Sequence, residues 1–239
     1  MRFMLYNIRY GAGGRGMCPC LGYLRRTSGN LGRIAEFLAP YDPDVLGLVE
    51  VDAGSYRSHR RNQAETLAQA LGHYHTYKSK YADSSLAALL PLMNKQGNAF
   101  LTRDSVHGAD FHYFTKGMKR LVIELELENL TIFLVHLALS FRTRQHQLND
   151  LYDLVNGTAK PHIVAGDFNA FWGDREISLF LAATKLTNAN VDAAPTFPSW
   201  APKRQLDLVL YSDGIKPRRL DVVPVALSDH LPMVFDFDV

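Results

Sequence analysis

The sequence predicts an α/β protein made of two packed, mostly antiparallel sheets with helices outside them. Short, nearly all-apolar runs recur along the chain, as strands covered on both faces require. Stretches with apolar residues at helical spacing are interspersed among them. Several neighbouring strand-like runs are joined by short turns, which argues against a wholly parallel sheet with strict strand–helix alternation.

Residues 2–6 form the first apolar strand and deliver Asn7 at its end. The glycine-rich stretch 11–22 must be irregular, since so many glycines forfeit helix and strand stability. Ser28 is placed to cap a helix with Leu31, Ile34, Ala35 and Leu38 on one face, ending before Pro40. Residues 44–50 read as a buried strand that brings out Glu50, and Asn62 with Glu65 three positions later forms a capping-box pattern for the next helix, which stops at Gly72. Residues 82–94 are apolar but broken by Pro91, which fits a short helix, a substrate-side loop or a lip that dips into a membrane.

Further strands are expected at 97–102, 121–127 and 131–135, the last ending in His136. Leu148, Leu151, Tyr152 and Val155 mark a helix over 142–155, followed through Gly157 by a strand running into Asp167 and Asn169. A helix near 175–183 and a loop containing Pro195, Pro198, Trp200 and Pro202 precede a strand at 205–211, where Asp207 interrupts an apolar run and so needs a partner. The last strand, 231–237, alternates as a half-buried strand does and follows Asp229 and His230.

The chain has 239 residues, 47% hydrophobic and 21% charged, which suits one globular domain over 1–239. A formal net charge of +2 excludes a protein that holds nucleic acid mainly by its overall field. No run approaches the roughly 18 apolar residues of a membrane span, and the amino terminus lacks a signal-like apolar region, so an integral membrane protein is not expected and a cytoplasmic location is. Nothing in the sequence marks an obligate protein partner. The two cysteines, Cys18 and Cys20, have no second Cys pair with which to build a structural zinc site and read as loop thiols.

The strand tips therefore carry an unusual inventory: Asn7, Glu50, His136, Asp167, Asn169 and Asp207, with Asp229 and His230 just before the last strand. Asp167 and Asn169 alone would make an ordinary turn, because both residue types hydrogen-bond their own backbone. As a set, the residues offer oxygens and imidazoles and no thiolate. Carboxylates with a carboxamide oxygen suit a hard cation such as Mg²⁺ or Mn²⁺, which commonly partners phosphate.

The ordered motifs Tyr6-Asn7-Ile8-Arg9, Leu48-Val49-Glu50-Val51-Asp52, Gly97-Asn98-Ala99, Val135-His136-Leu137, Gly166-Asp167-Phe168-Asn169-Ala170, Leu206-Asp207 and Ser228-Asp229-His230-Leu231-Pro232 resemble those of the endonuclease/exonuclease/phosphatase superfamily. That superfamily includes deoxyribonucleases, abasic-site endonucleases, neutral sphingomyelinases and inositol-polyphosphate phosphatases. The resemblance implies a four-layer α/β/β/α sandwich and Mg²⁺-dependent hydrolysis of a phosphoester. It implies Glu50 as principal metal ligand with Asn7 and Asp229 nearby, Asp167 orienting or deprotonating the attacking water, and Asn169 holding phosphate or nucleophile. His230 would bond or protonate a phosphate oxygen, with Asp207 fixing its tautomer, and His136 would be a second phosphate-facing imidazole. Asn98 and Arg9 would face substrate. Abasic-site endonucleases carry an acidic residue two positions after the first Asn; Arg9 stands there in this chain, which argues against that activity.

The resemblance leaves the substrate open, because one fold and metal site serve unrelated substrates. The first expectation is a phosphodiesterase for DNA or RNA, with Arg9, Arg57, Arg60, Arg61, Lys116, Lys119 and Arg120 lining a groove. The alternative is a phospholipid or small phosphoester hydrolase, with the apolar residues 86–93 meeting lipid.

Overall fold

Strands that are apolar on both faces need a cover on each face, and the fold supplies one. The structure, a computed structural model, describes residues 1–14, 27–79, 93–117 and 121–239. The first sheet holds β1 (Arg2–Asn7), β2 (Val45–Asp52), β3 (Tyr74–Ser79), β4 (Gln96–Thr102), β11 (Lys216–Val222) and β12 (Met233–Asp238), in the order β11-β12-β1-β2-β4-β3. The second holds β5 (Gly108–Tyr113), β6 (Leu121–Glu126), β7 (Thr131–His136), β8 (His162–Asp167), β9 (Thr187–Asn188) and β10 (Asp207–Tyr211), in the order β5-β6-β7-β8-β10-β9. Each sheet is mixed, with one parallel pair at its centre, β1–β2 and β7–β8, and antiparallel neighbours on both sides.

Each parallel pair needs a crossover, and a helix makes it. Helix α1 (Ser28–Leu38) lies between β1 and β2 in the chain, and α3 (Phe141–Asn156) lies between β7 and β8; α2 (Gln63–Leu71) and α4 (Ser178–Thr184) complete the outer layers. Alternation along the strands sorts the core into layers. Phe3, Leu5, Ile132, Leu134, Ile163 and Val209 pack between the sheets. Met4, Tyr6, Leu46 and Leu48 pack with Leu31, Ile34, Leu38 and Leu67 of α1 and α2. Phe133, Val135 and Val164 pack with Leu148, Leu151 and Phe180 of α3 and α4. The result is helix, sheet, sheet, helix, as the family resemblance implies.

Local details differ from the expectations. Thr27, not Ser28, is the N-cap residue of α1, and the Thr27 hydroxyl donates to the Arg57 carbonyl instead of capping. Asn62 does cap α2, its Oδ1 accepting from the Ala64 amide at 3.0 Å. The helix expected near 175–183 is a 3₁₀ turn, Gly173–Glu176, followed by the shorter α4. Asp207 begins β10 instead of interrupting it. Cys18, Cys20 and residues 82–92 of the apolar stretch lie outside the described residues. Among the described residues no helix is long and apolar enough to cross a membrane.

Candidate active site

In the second sheet the pairing register puts His136 of β7 opposite Asp167 of β8, and Asp167 opposite Asp207 of β10, so one row of the sheet carries all three. In the first sheet Asn7 pairs with Val49, which places Glu50 one residue beyond it. Glu50 does not end its strand. It sits in an irregularity of the β2–β4 ladder, between Leu48 and Val51, with a left-handed backbone at φ 58°. Asn169 and Arg9 are left-handed as well, at φ 51° and 48°. Non-glycine residues held there cost roughly a kcal/mol each, and such strain concentrates where a side chain must be aimed.

Two glycines let the tips come this close. A Cβ on Gly166 would lie 1.9 Å from the Val135 carbonyl oxygen, and one on Gly97 would lie 2.1 Å from that of Lys78. The residue that follows each, Asp167 and Asn98, is thereby held against its neighbouring strand.

The side chains converge on Asp167, which is 2% exposed. Its Oδ2 accepts from Asn7 Nδ2 at 3.2 Å, across the two sheets, and lies 3.4 Å from His136 Nε2 and 3.9 Å from His230 Nε2. Its Oδ1 accepts from the Asn169 amide at 3.0 Å, while Asn169 Nδ2 donates to the Leu137 carbonyl at 2.9 Å. Glu50 Oε1 is 3.9 Å from His136 Nε2, and the Glu50 amide donates to Asn98 Oδ1 at 3.4 Å. Asn98 is 1% exposed, and its Nδ2 has no hydrogen-bond partner among the described residues. Asp229 stands at the edge of the group, 3.2 Å from Arg9 Nε, and the Arg9 amide donates to Asn7 Oδ1 at 3.0 Å. All ten candidate residues are thus brought into one site.

His230 and Asp207 form a buried pair, Nδ1 to Oδ2 at 2.7 Å. Burial by itself would lower the His230 pKa, but the charge of Asp207, its hydrogen bond and the nearby Asp167 and Asp229 together raise it from 6.5 to about 10. Burial also raises the Asp229 carboxyl, and the neighbouring Glu50 charge adds to this, while His230 and Arg9 oppose it. Ligand atoms of Asp167, Asp207 and His230 lie within 4.8 Å of one another. His230 Nδ1 and Asp207 Oδ2 already bond each other at 2.7 Å, so this triad reads as a hydrogen-bonded relay. Asn7, Glu50 and Asp229 offer only oxygen and amide donors, a set that suits a hard cation.

Several supporting residues escaped the sequence reading. Thr196 Oγ1 accepts from the Asp207 amide at 3.3 Å, Ser199 donates its amide to the Asp229 carbonyl at 2.8 Å, and the Phe197 ring lies 5.0 Å from that of His230. Arg57 corrects the expected groove: it is fully buried and bonded to Asp52 at 2.9 Å, and cannot meet a substrate backbone. Arg60, Arg61 and Lys116 are exposed, and Lys119 and Arg120 lie outside the described residues.

Residues 4–230 match the model of the Endonuclease/Exonuclease/phosphatase family. The chain belongs to that family. It is a phosphoric ester hydrolase, of a family that generally depends on a divalent metal. Among solved structures the chain is similar to a functionally unknown conserved protein from Enterococcus faecalis, at 14% identity and TM-score 0.76 over 100% of this chain and 99% of that one. It is similar to a mannosyl-6-phosphatase from Bacteroides thetaiotaomicron, at 14% identity and TM-score 0.73 over 100% of both chains. It is also similar to the human Nocturnin catalytic domain, at 22% identity and TM-score 0.69 over 100% of this chain and 93% of that one. No curated protein matches the sequence.

Proposed function

We propose that this family member is a Mg²⁺-dependent phosphodiesterase, Mn²⁺ serving in its place, that hydrolyses DNA or RNA by in-line attack of water. The observation that carries the reading is the convergence on Asp167 of Asn7, His136, His230 and the Asn169 amide, drawn from both sheets. Asp167 orients the water and accepts its proton as the new P–O bond forms and the ester P–O bond breaks. His230, kept protonated by Asp207, donates to a phosphoryl oxygen, and His136 faces the same phosphate from β7. Asn169 retains a second amide hydrogen for phosphate or nucleophile, and Asn98 Nδ2, unpartnered among the described residues, supports a role as donor to substrate. Arg9, already beside Asp229, reaches a phosphate held there. Asn7, Glu50 and Asp229 would hold the cation. When bound, the divalent ion supplies charge that offsets what gathers on the phosphoryl oxygens and leaving group.

The test is hydrolysis of plasmid DNA, RNA, bis(p-nitrophenyl) phosphate and sphingomyelin, each with Mg²⁺ and with chelator. Mg²⁺-dependent cleavage of nucleic acid and of the small diester is expected, reduced about 10²-fold or more in Asp167→Asn. Phosphocholine release from sphingomyelin with no nucleic-acid cleavage would contradict the nuclease reading, and chelator-resistant turnover would contradict the metal dependence.

A further inference from the structure

Two loops follow the strand tips of the second sheet, one after His136 and one after Asn169, and a buried ion pair helps to tie them together. Arg144, 1% exposed, bonds Glu176 and donates to the carbonyls of Ala138 at 2.7 Å and Leu139 at 3.0 Å. Glu176 in turn accepts from the Trp172 amide at 2.7 Å. Removing two charges from water is costly, so such a pair is a poor device for stability and a good one for fixing geometry. What it fixes is unusual. Leu139, Phe141 and Trp172 are 62%, 54% and 80% exposed, Leu139 and Trp172 on backbone that the pair bonds directly and Phe141 at the start of α3.

Scattered exposed apolar side chains are ordinary, but these three lie close to the site by chain connectivity. Leu139 and Trp172 are each three residues beyond a site residue, His136 and Asn169, or at most about 10 Å of extended chain. Exposed cations alternate with them. Arg142 follows Phe141, Arg175 lies three positions after Trp172, and the Arg204 guanidinium stacks over the Phe171 ring at 5.3 Å while donating to the Phe171 carbonyl. Aromatic faces interleaved with arginines match a polyanion whose bases are free to stack. A duplex hides its base faces, and a lipid surface favours an apolar face less interrupted by charge.

We propose that Leu139, Phe141 and Trp172, with Arg142, Arg175 and Arg204, form a ledge that binds a single-stranded stretch of nucleic acid beside the scissile phosphate, which makes the enzyme selective for single strands. The inference rests on the nuclease reading above. It is tested by fluorescence anisotropy with labelled oligodeoxythymidine about 12 nucleotides long, in chelator so that nothing is cut, against the same strand annealed to its complement. Wild type should bind the single strand more tightly than the duplex, and Trp172→Ala should weaken single-strand binding between about 5- and 150-fold, as loss of one stacked base does. Arg175→Gln should weaken it further and reduce its salt dependence. Turnover of bis(p-nitrophenyl) phosphate should stay near wild type in both variants, because the side chains are exposed and lie outside the catalytic group. Equal affinity for single strand and duplex, or unchanged binding in Trp172→Ala while the small diester is still hydrolysed, would overturn the ledge and leave the phosphodiesterase reading standing. Binding of phosphatidylserine vesicles that Trp172→Ala abolishes, with oligonucleotide binding untouched, would replace it with a lipid contact. Failure to hydrolyse any diester would instead strike at the underlying reading.

Discussion

The two sheets repeat one plan and, in the function proposed above, divide the chemistry between them. Each has a parallel pair at its centre, a helical crossover in sequence between its strands, a candidate site residue at the carboxyl end of each strand or, for Glu50, two residues before it, and a buried Arg–acid pair formed by residues at or after the ends of these strands. The first sheet presents amide and carboxylate oxygens, Asn7 and Glu50, with Glu50 aimed by a left-handed backbone. The second presents groups that can move a proton, His136 and Asp167, flanked by the Asp207–His230 pair. The lesson is that the carboxyl ends of adjoining parallel strands gather a site in either sheet, and packing the two sheets face to face joins them.

The buried ion pairs differ in a way that can break this comparison. Asp52 accepts from the amides of Gly54 and Ser55 and the hydroxyls of Ser55 and Ser58, besides Arg57. Glu176 has, apart from Arg144, only the Trp172 amide on its carboxylate among the described residues. Arg144→Met strands a buried charge and should cost about 3–5 kcal/mol in urea unfolding. Arg57→Met leaves Asp52 still well bonded and should cost less, about 1–3 kcal/mol. Equal or reversed losses would show that the two clasps are not related as described.

A smaller effect carries a definite sign. The His230 pKa is raised in the folded protein from 6.5 to about 10, so its charged form stabilises the fold. That contribution is fully present below about pH 6.5 and is lost as pH rises through about 10. In chelator, the stability difference between wild type and His230→Gln should therefore shrink steadily across this window. Asp229→Asn should act in the opposite sense, stabilising the chelated protein at neutral pH, because burial and the Glu50 charge disfavour its carboxylate. A pH-independent His230→Gln difference would mean that the imidazole is neutral throughout.

Legibility in the sequence followed burial. The central strands are covered on both faces, so they appear as unbroken apolar runs, and a polar residue at the end of such a run stands out: Asn7, His136 and Asp167 do so. The strands missed were β3, β5, β9 and β11, the four sheet edges. Edge strands such as Lys216–Val222 are largely exposed on one side and carry the charges and proline that discourage further pairing, so they lack an apolar signature. The buried arginines were missed for another reason: charge alone suggests a solvated face. Arg144 had a visible signal, since it sits four residues before Leu148 on the stripe continued by Leu151 and Val155, where an arginine is out of place unless paired. Arg57 had none, because its short 3₁₀ turn has no such stripe.

The division of labour between the sheets is tested most directly by titrating Mg²⁺ against the hydrolysis rate of bis(p-nitrophenyl) phosphate for wild type, Glu50→Gln and Asp167→Asn. Glu50→Gln should move the midpoint to higher Mg²⁺ concentration, while Asp167→Asn should lower the plateau about 10²-fold or more with little change of midpoint. An unchanged midpoint in Glu50→Gln, or a midpoint shift in Asp167→Asn with the plateau retained, would contradict that division.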